Sequence, residues 1–600
     1  MFPPLIFQTL DMLLKLIYTK YMNQSYCVVI VSENALQVNI KLNSFSYINP
    51  RFLSNDEFTE RLLSLSDNGC SDYLVQMEQP ELFMAAMKNV THNGSVRRSD
   101  RKLVFLPTEQ NNTINLLDLL NLDEALHFAN ILLVVPGNSV TNDKESVEML
   151  ECSSYDFVTH KFVGEDVDIR NKHFIGSWNS CSGFSDEMTN LFPHDMTDMK
   201  GRSLSVAAFT YEPYSIFDID KNIEISGQDG IEVRIIDEFC RLLNCKALFV
   251  GDDGGEWGEI FENGTGNGVL GKVAEDRADV AITALYLWYD AFTVLDFSLT
   301  TVRTAITCIT PSPRILVSWQ MPLMPFTWTM WGLIIGVFLF AALALTVAQK
   351  WSTDRVFLHT FAMLVTQSLN DPGHAWRVRI VTGWLLLMGL VIDNAYSSGL
   401  AATFTVPSYE KSTDTIQDVI DVGMPWGATH DAWIFSLEQS EDPKIMQLVR
   451  QFKVLDDETL KEKSFTRSMG FSIEKLPAGY FAIGDYITKD AVLDMEIMLE
   501  DFYYEHCVVM ARKSSPYTAK LNELIGRLHE TGLMLAWETQ VALKYLDYKV
   551  QLEVKLSRLR RDIEIGPLRL QHVVGIFFIY IIGTCLSLIM FVCELVSRKR

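Results

Sequence analysis

The chain lacks most of what marks an enzyme, a metalloprotein or a nucleic-acid binder. No H-E-x-x-H, G-x-S-x-G or G-K-[ST] motif occurs, and no C-x-x-C pair. Zinc, acyl-transfer and phosphate-cradling chemistry therefore have no starting point, and no metal or cofactor is expected. Basic residues are scarce: 51 Lys and Arg stand against 75 Asp and Glu, a formal charge of −24, which disfavours a nucleic-acid face built from clustered cations. Ten cysteines in 600 residues are too thin for a disulfide scaffold and leave their pairing open. A formal G-x-G-x-x-G at Gly266, Gly268 and Gly271 has no tight strand-turn-helix crossover around it and no acidic ribose partner. It reads as a turn ahead of a short helix.

What is abundant is apolar side chain, 48% of the residues, gathered into a few runs. The length exceeds one globular core, so two or three folding units are expected. Residues 328–348 carry no charge and are long enough to span a bilayer core of about 30 Å. Lys350 and Arg355 follow, on what the positive-inside tendency makes the cytoplasmic side. Residues 357–369 are apolar but too short to cross, and Asn370-Asp371-Pro372-Gly373 ends them. They read either as a re-entrant pore loop, since non-helical backbone at membrane depth must line water or protein, or as a cytoplasmic amphipathic helix. Residues 380–406 start as an uncharged apolar helix and change at Asp393 to Asn394, Ala395, Tyr396, Ser397, Ser398, Gly399. Small and polar residues there suit close helix approach and a watery path, which an inert anchor does not need. Residues 572–592 form the last uncharged run, and Arg598-Lys599-Arg600 places the C-terminus in the cytoplasm.

Two α/β regions flank this insert. Residues 26–199 hold strand-like runs YCVVIV, DYLVQM, KLVFLP, NILLVV and YDFVTHKF, with a helix-like stretch over 80–90. From about residue 200, RSLSVAAFTYEPY reads as a strand closing in a Pro turn. Ile231, Ile235, Phe239, Leu242 and Leu243 then share one helical stripe. After the apolar insert, Ser515-Pro516 reads as a helix start, Leu521, Leu524, Ile525 and Leu528 as its buried stripe and Gly532 as its stop. Residues 1–25 are apolar enough for a secretory signal, although Asp11 and Lys15 interrupt them and a basic start is missing. Sequons at Asn23, Asn89, Asn93, Asn111 and Asn263 all precede the first long apolar run, as an extracellular region would have them.

The order of lobe, membrane helix, short re-entrant segment, polar-ended helix, lobe and membrane helix describes a clamp tied to a pore. At this point residues 201–600 resemble the ionotropic glutamate receptors, and among them the divergent arthropod chemosensory ionotropic receptors. The family's gate motif SYTANLAAF stands here as Ala395 to Thr403, with Tyr396, Leu400, Ala401 and Ala402 matching. Tyr211-Glu212-Pro213-Tyr214 is similar to its first-lobe turn, Asp296-Phe297-Ser298 to its D-F-S, and Ser515-Pro516-Tyr517 to its late S-P-Y.

The resemblance implies a bilobed periplasmic-binding-protein-like α/β domain split by an inverted potassium-channel-like pore module, with one further C-terminal membrane helix. Its expected boundaries are lobe segments at 200–310 and 415–548, membrane helices at 326–349, 379–406 and 571–593, a pore loop at 355–372 and a cytoplasmic tail at 594–600. It implies pore or selectivity residues at Thr366 and Gln367, uncharged as monovalent cations prefer, and a gate at Tyr396, Ser397, Leu400, Ala401 and Ala402. Asp393 has no counterpart in the family pattern and is either a cation-attracting ring or a group paired with another helix. The second-lobe acid that receives a ligand amine falls on Asp485 or, failing that, Asp485 is a solvated loop residue. Tyr214 and Trp288 are aromatic walls or core packing, and Thr429 opens a helix whose amides face the cleft.

The Arg that clamps a ligand carboxylate about five residues before D-F-S is replaced by Ala291, so glutamate is not the expected agonist. The chain is expected to be a tuning subunit, responding to a small-molecule amine or acid and working with a full-length co-receptor in a heterotetramer. Its place would be the plasma membrane of a sensory neuron dendrite, as a multi-pass protein. The alternative is a non-conducting, membrane-tethered binding or regulatory subunit. The family's second-lobe disulfide needs two cysteines, and between the gate helix and the last helix only Cys507 is present.

Overall fold

The computed structural model describes residues 5–34, 44–108, 113–137, 152–164, 172–186, 190–194, 196–220, 223–224, 226–261, 264–314, 320–349, 353–368, 375–405, 409–559 and 570–598. They fall into two compact units, one made of residues 1–309, 419–492 and 498–553, the other of 310–418, 493–497 and 554–600.

The first unit contains two sheets. In the earlier one, Phe45–Ile48, Val28–Ser32, Asp72–Gln76, Lys102–Phe105 and Asn130–Pro136 run parallel, and Ser154–His160, Lys172–Asn179 and Gly183–Phe184 continue antiparallel. Strands buried on both faces read as continuous apolar runs, which is why five of them were visible in the sequence. Asn55–Asp67 and Pro80–Asn93 cover one face with Phe58, Leu62, Phe83 and Met87. The first of these helices starts at a capping box between Ser54 and Glu57, the second at Pro80.

The other face is covered by Leu5–Ile17, the stretch read as a candidate signal. Its Leu10, Leu13, Leu14 and Ile17, at helical spacing, are buried against Val28, Ile30, Leu74 and Val104. Asp11 and Lys15 interrupt the apolar run because they stand on the outer side of an amphipathic helix, half-exposed and exposed. Three disulfides are formed, Cys27–Cys70, Cys152–Cys181 and Cys240–Cys245. The first joins the starts of two neighbouring parallel strands. The last crosses a helix end where Asn244 takes a left-handed φ of 55°.

The second sheet runs in the order Cys245–Val250, Arg202–Ala207, Val280–Leu285, Tyr503–Arg512, Leu295–Pro311, Gly470–Lys475, Trp426–Ala428, Phe452–Val454. Its two halves are two lobes, and the 17-residue strand Leu295–Pro311 belongs to both. Leu295 to Ile306 pairs with Tyr503–Arg512, and Ala305 to Ile309 pairs with Gly470–Lys475. A strand shared in this way is a hinge.

The helix Ile231–Leu243 buries Ile231, Ile235 and Phe239 as its stripe requires, while Leu242 is exposed. The late helix is Thr518–Thr531, starting two residues beyond the expected Ser515-Pro516. Leu521, Leu524, Ile525 and Leu528 are buried and Gly532 closes it at φ 74°. Gly266 and Gly271 meet backbone to backbone, a Cβ on Gly271 lying 2.1 Å from the carbonyl carbon of Gly266, while Gly268 meets the backbone of Gly258. The loop is thus a tight packing element before the short helix Gly268–Ala274.

Arg97 ties the early α/β region to the first lobe. It pairs with Asp296 at 3.0 Å, bonds the carbonyl of Leu295 and stacks on Phe292 at 3.8 Å.

In the second unit, Trp328–Gln349, Trp376–Thr405 and Leu570–Arg598 each contain a stretch long and apolar enough to cross a membrane. Thr353–Leu364 is shorter and packs Val356 and Met363 against Ala342, Leu345 and Val378. Gly389 lets its end approach: a Cβ there would sit 2.4 Å from the Met363 carbonyl oxygen.

Leu13 is fully buried, so Leu13→Ala is expected to destabilise the early α/β region by about 2–4 kcal/mol. Pulse proteolysis of the purified chain in urea checks this; an unchanged midpoint would mean the helix is not part of the core.

Candidate functional site

The hairpin Tyr211 to Ser215, the strand Val280–Leu285 with Tyr286 after it, and Gly470–Lys475 of the second lobe meet at one buried carboxylate. Glu474 is 1% exposed. One oxygen accepts hydrogen bonds from Tyr211 Oη at 2.8 Å and Tyr286 Oη at 2.5 Å, the other from Tyr214 Oη at 2.7 Å and Thr304 Oγ1 at 3.3 Å. Burial pushes this carboxyl up and the four hydroxyls pull it back. Charge-assisted bonds to a desolvated carboxylate contribute about 1.5–3 kcal/mol each. Three of the four donors lie in the first lobe or its hairpin, so Glu474 fastens one lobe to the other.

A second buried carboxylate, Glu232, sits at the start of Ile231–Leu243. One of its oxygens accepts the backbone N–H of Thr283 at 2.6 Å and of Ala284 at 2.9 Å, and the other accepts Thr301 Oγ1 at 3.0 Å. Those two amides point at one acceptor because Thr283 and Ala284 take φ of 96° and 47°, an unfavourable conformation for side chains with a Cβ. The carboxylate offsets that cost. Burial pushes Glu232 up to about 7 against the pull of these donors.

Beside this interior lies a cavity of about 430 Å³. Trp288, Tyr289, Asp290 and Ala291 line it from the first lobe, Phe435 and Glu438 from the second, and Glu505 from the strand Tyr503–Arg512. Among the described residues its lining has four carboxylates, Glu259, Asp290, Glu438 and Glu505, and no Lys or Arg. Trp288 and Phe435 meet edge to face at 5.4 Å.

Of the expected ligand residues, Trp288 lines the cavity, and so does Ala291, which stands at the place of the missing Arg. Tyr214 does not: it is fully buried and spends its hydroxyl on Glu474. Asp485 is exposed on a turn in the second lobe, and its charge adds to the burial that raises the Glu212 carboxyl. The acid that links the two lobes is Glu474, which the sequence reading did not single out. Thr429 bonds Glu256 at 3.5 Å and is followed by a three-residue turn, Asp431–Trp433, and the four-residue Phe435–Glu438. His430, which accepts from Ala432 N, is the cap there.

Thr366 terminates the short helix with φ 55°, and Gln367 N bonds the Ala362 carbonyl. Asp393, Ser397, Ala401 and Ala402 are exposed on Trp376–Thr405, and Leu400 is half-buried. Tyr396 donates to the Pro322 carbonyl at 3.0 Å and packs against Phe326 and Trp331, which ties the gate-like sequence to the segment entering the first long apolar helix. Asn23, Asn89 and Asn93 are exposed; Asn111 and Asn263 lie outside the described residues. Cys507 is buried and unpaired.

The folded state keeps a proton on Glu232 that the unfolded chain, near 4.5, has released. Its contribution to stability is therefore full below about pH 4.5 and is lost as pH rises through 7, by about 3 kcal/mol. Melting of wild type against Glu232→Gln at pH 5 and pH 8 should show the wild type losing ground at the higher pH; parallel behaviour would contradict the assignment.

Residues 202–314 match the family model described as the ligated ion channel L-glutamate- and glycine-binding site. The chain is similar to the human glutamate receptor ionotropic, delta-1, at 23% identity over 312 residues, 48% of this chain and 30% of that protein. It is similar to a chicken probable glutamate receptor, at 22% over 424 residues, 66% of this chain and 82% of that protein. It is also similar to the Drosophila melanogaster ionotropic receptor 21a, at 19% over 521 residues, 80% of this chain and 58% of that protein. The matched region spans only about a third of the length of the delta receptors. By this evidence the chain is related to the ionotropic glutamate receptors, and its first lobe carries their ligand-binding-domain sequence.

Proposed function

We propose that the chain is a subunit of a ligand-gated cation channel that acts as a chemosensory receptor, tuned by a ligand other than glutamate and working with co-receptor subunits. The observation that carries this reading is topological. The sheet of the two-lobed unit is begun before the apolar helices and completed after them, with Leu295–Pro311 on one side of the insert and Trp426–Ala428 and Gly470–Lys475 on the other. Any displacement of one lobe against the other is therefore transmitted covalently to both ends of the inserted helices. Similarity to an ionotropic receptor and to glutamate receptors supports the same assignment.

Against glutamate stands the cavity itself. Ala291 replaces a carboxylate-binding Arg, and four acidic side chains surround the space without a cation among the lining residues. An α-carboxylate there would be unpaired and repelled, a cost of several kcal/mol. Thr366 and Gln367, at the end of a 12-residue apolar helix too short to span, are proposed as the selectivity positions, Asp393 as a cation-attracting group and Tyr396 as part of the gate. The proposed orientation is a multi-pass plasma-membrane protein with the lobes outside and the C-terminus in the cytoplasm.

The test is whole-cell current from the chain co-expressed with a full-length co-receptor. Ligand-evoked cation current is expected, and Gln367→Arg should reduce inward cation current by tenfold or more at unchanged surface expression. A surface-expressed chain that stays silent with every partner and ligand, or one indifferent to Gln367→Arg, would favour a non-conducting regulatory subunit.

A further inference from the structure

The acid-lined cavity makes two demands on whatever fills it, and they are independent. Its charge is the first. Glu505 is half-buried, Glu259, Asp290 and Glu438 stand more exposed around it, and no Lys or Arg is among the lining residues. Burial raises both Glu438 and Glu505, so a cationic guest would also relieve their cost of ionisation.

The second demand comes from Trp288. The side chain lines the cavity and is 6% exposed, yet its indole N–H has no hydrogen-bond partner among the described residues. A buried donor left unmade costs about 1–3 kcal/mol, and since this N–H is sealed from solvent, a guest carrying an acceptor satisfies it by a small turn of the indole toward the cavity. A bare metal ion answers the carboxylates but offers no acceptor to the indole and no apolar surface to Trp288, Phe435 and Leu287. An amino acid brings an anionic group that the lining repels.

We propose that this cavity binds a protonated amine whose apolar, preferably aromatic, body carries a neutral hydrogen-bond acceptor such as a hydroxyl. The ammonium group would lie among the carboxylates, the ring against Trp288 and Phe435, and the acceptor on the Trp288 N–H. A volume of about 430 Å³ suits a guest of this size, within the usual range for small-molecule pockets. This inference rests on reading the space between the lobes as the ligand site and names the chemistry that the site selects.

Binding is measured calorimetrically on the full chain in lipid nanodiscs, with tyramine, 2-phenylethylamine and 4-hydroxyphenylacetate as probes. Tyramine should bind saturably, 2-phenylethylamine about tenfold more weakly for want of the acceptor, and the anionic acid not at all. Glu505→Gln and Glu438→Gln should each weaken tyramine by about tenfold, with unchanged gel-filtration behaviour. Trp288→Phe keeps the ring but removes the donor, and should erase the difference between tyramine and 2-phenylethylamine. The proposal is overturned if tyramine does not bind, if the acid binds as well as the amine, if Glu505→Gln and Glu438→Gln leave tyramine affinity unchanged, or if Trp288→Phe leaves the difference between tyramine and 2-phenylethylamine intact. Because the readout is binding, tyramine bound without evoked current would sink the channel reading and leave the amine site standing. Current evoked by another class of ligand in a chain that does not bind tyramine would do the reverse.

Discussion

The two-lobed unit depends on one desolvated carboxylate. Glu474 lies on a second-lobe strand, and three tyrosine hydroxyls with one threonine hydroxyl close over its two oxygens. A lone buried carboxylate would be costly, and it persists here because its lone pairs are met by fixed donors in a region with little water. The reverse holds as well, since tyrosines buried this deeply need acceptors. Around that mutual need the hinge is assembled. The shared strand supplies Thr304, the first-lobe hairpin supplies Tyr211 and Tyr214, and the turn after Val280–Leu285 supplies Tyr286. A ligand that moves the lobes must therefore work against, or through, this cluster.

Glu474 also explains why the cavity lies where it does. The carboxylate's acceptor sites are taken by the chain's own hydroxyls, so the polar interior between the lobes is filled by protein. The remaining space is displaced toward the turn at Trp288 to Ala291. There the chain presents acid and aromatic surface, with Ala291 among the lining residues. The acids that line the cavity, Glu505 and its neighbours, are thus distinct from Glu474, which fastens the lobes.

Much of the architecture was legible in the sequence because it is written in burial. Strands buried on both faces leave unbroken apolar runs, Ile231, Ile235 and Phe239 mark a packed helix, and the uncharged stretches at 328–348 and 572–592 emerge as long helices. The site was less legible. Glu474 stands in GFSIEK, an ordinary alternating strand, and nothing local says that tyrosines some 190–260 residues away converge on it. Of the two readings of Tyr214, cavity wall or core packing, the structure has the second, with its hydroxyl on Glu474. The helix at residues 5–17 was masked by its apolar content, although the 10, 13, 14, 17 spacing with Asp11 and Lys15 between was a readable amphipathic signal. Disulfide pairs were hidden because spacing carries no information on which strand ends lie side by side.

The most direct test of the central claim is the distance between the lobes. Spin labels at exposed Leu248 in the first lobe and exposed Lys444 in the second report it by pulsed electron resonance on the full chain without ligand. If Glu474 holds the lobes together, the wild type gives one narrow distance, and Glu474→Gln, which swaps one acceptor oxygen for a donor facing tyrosine hydroxyls, broadens it and moves it outward. An identical narrow distribution in both proteins would mean that the lobes are held by something else.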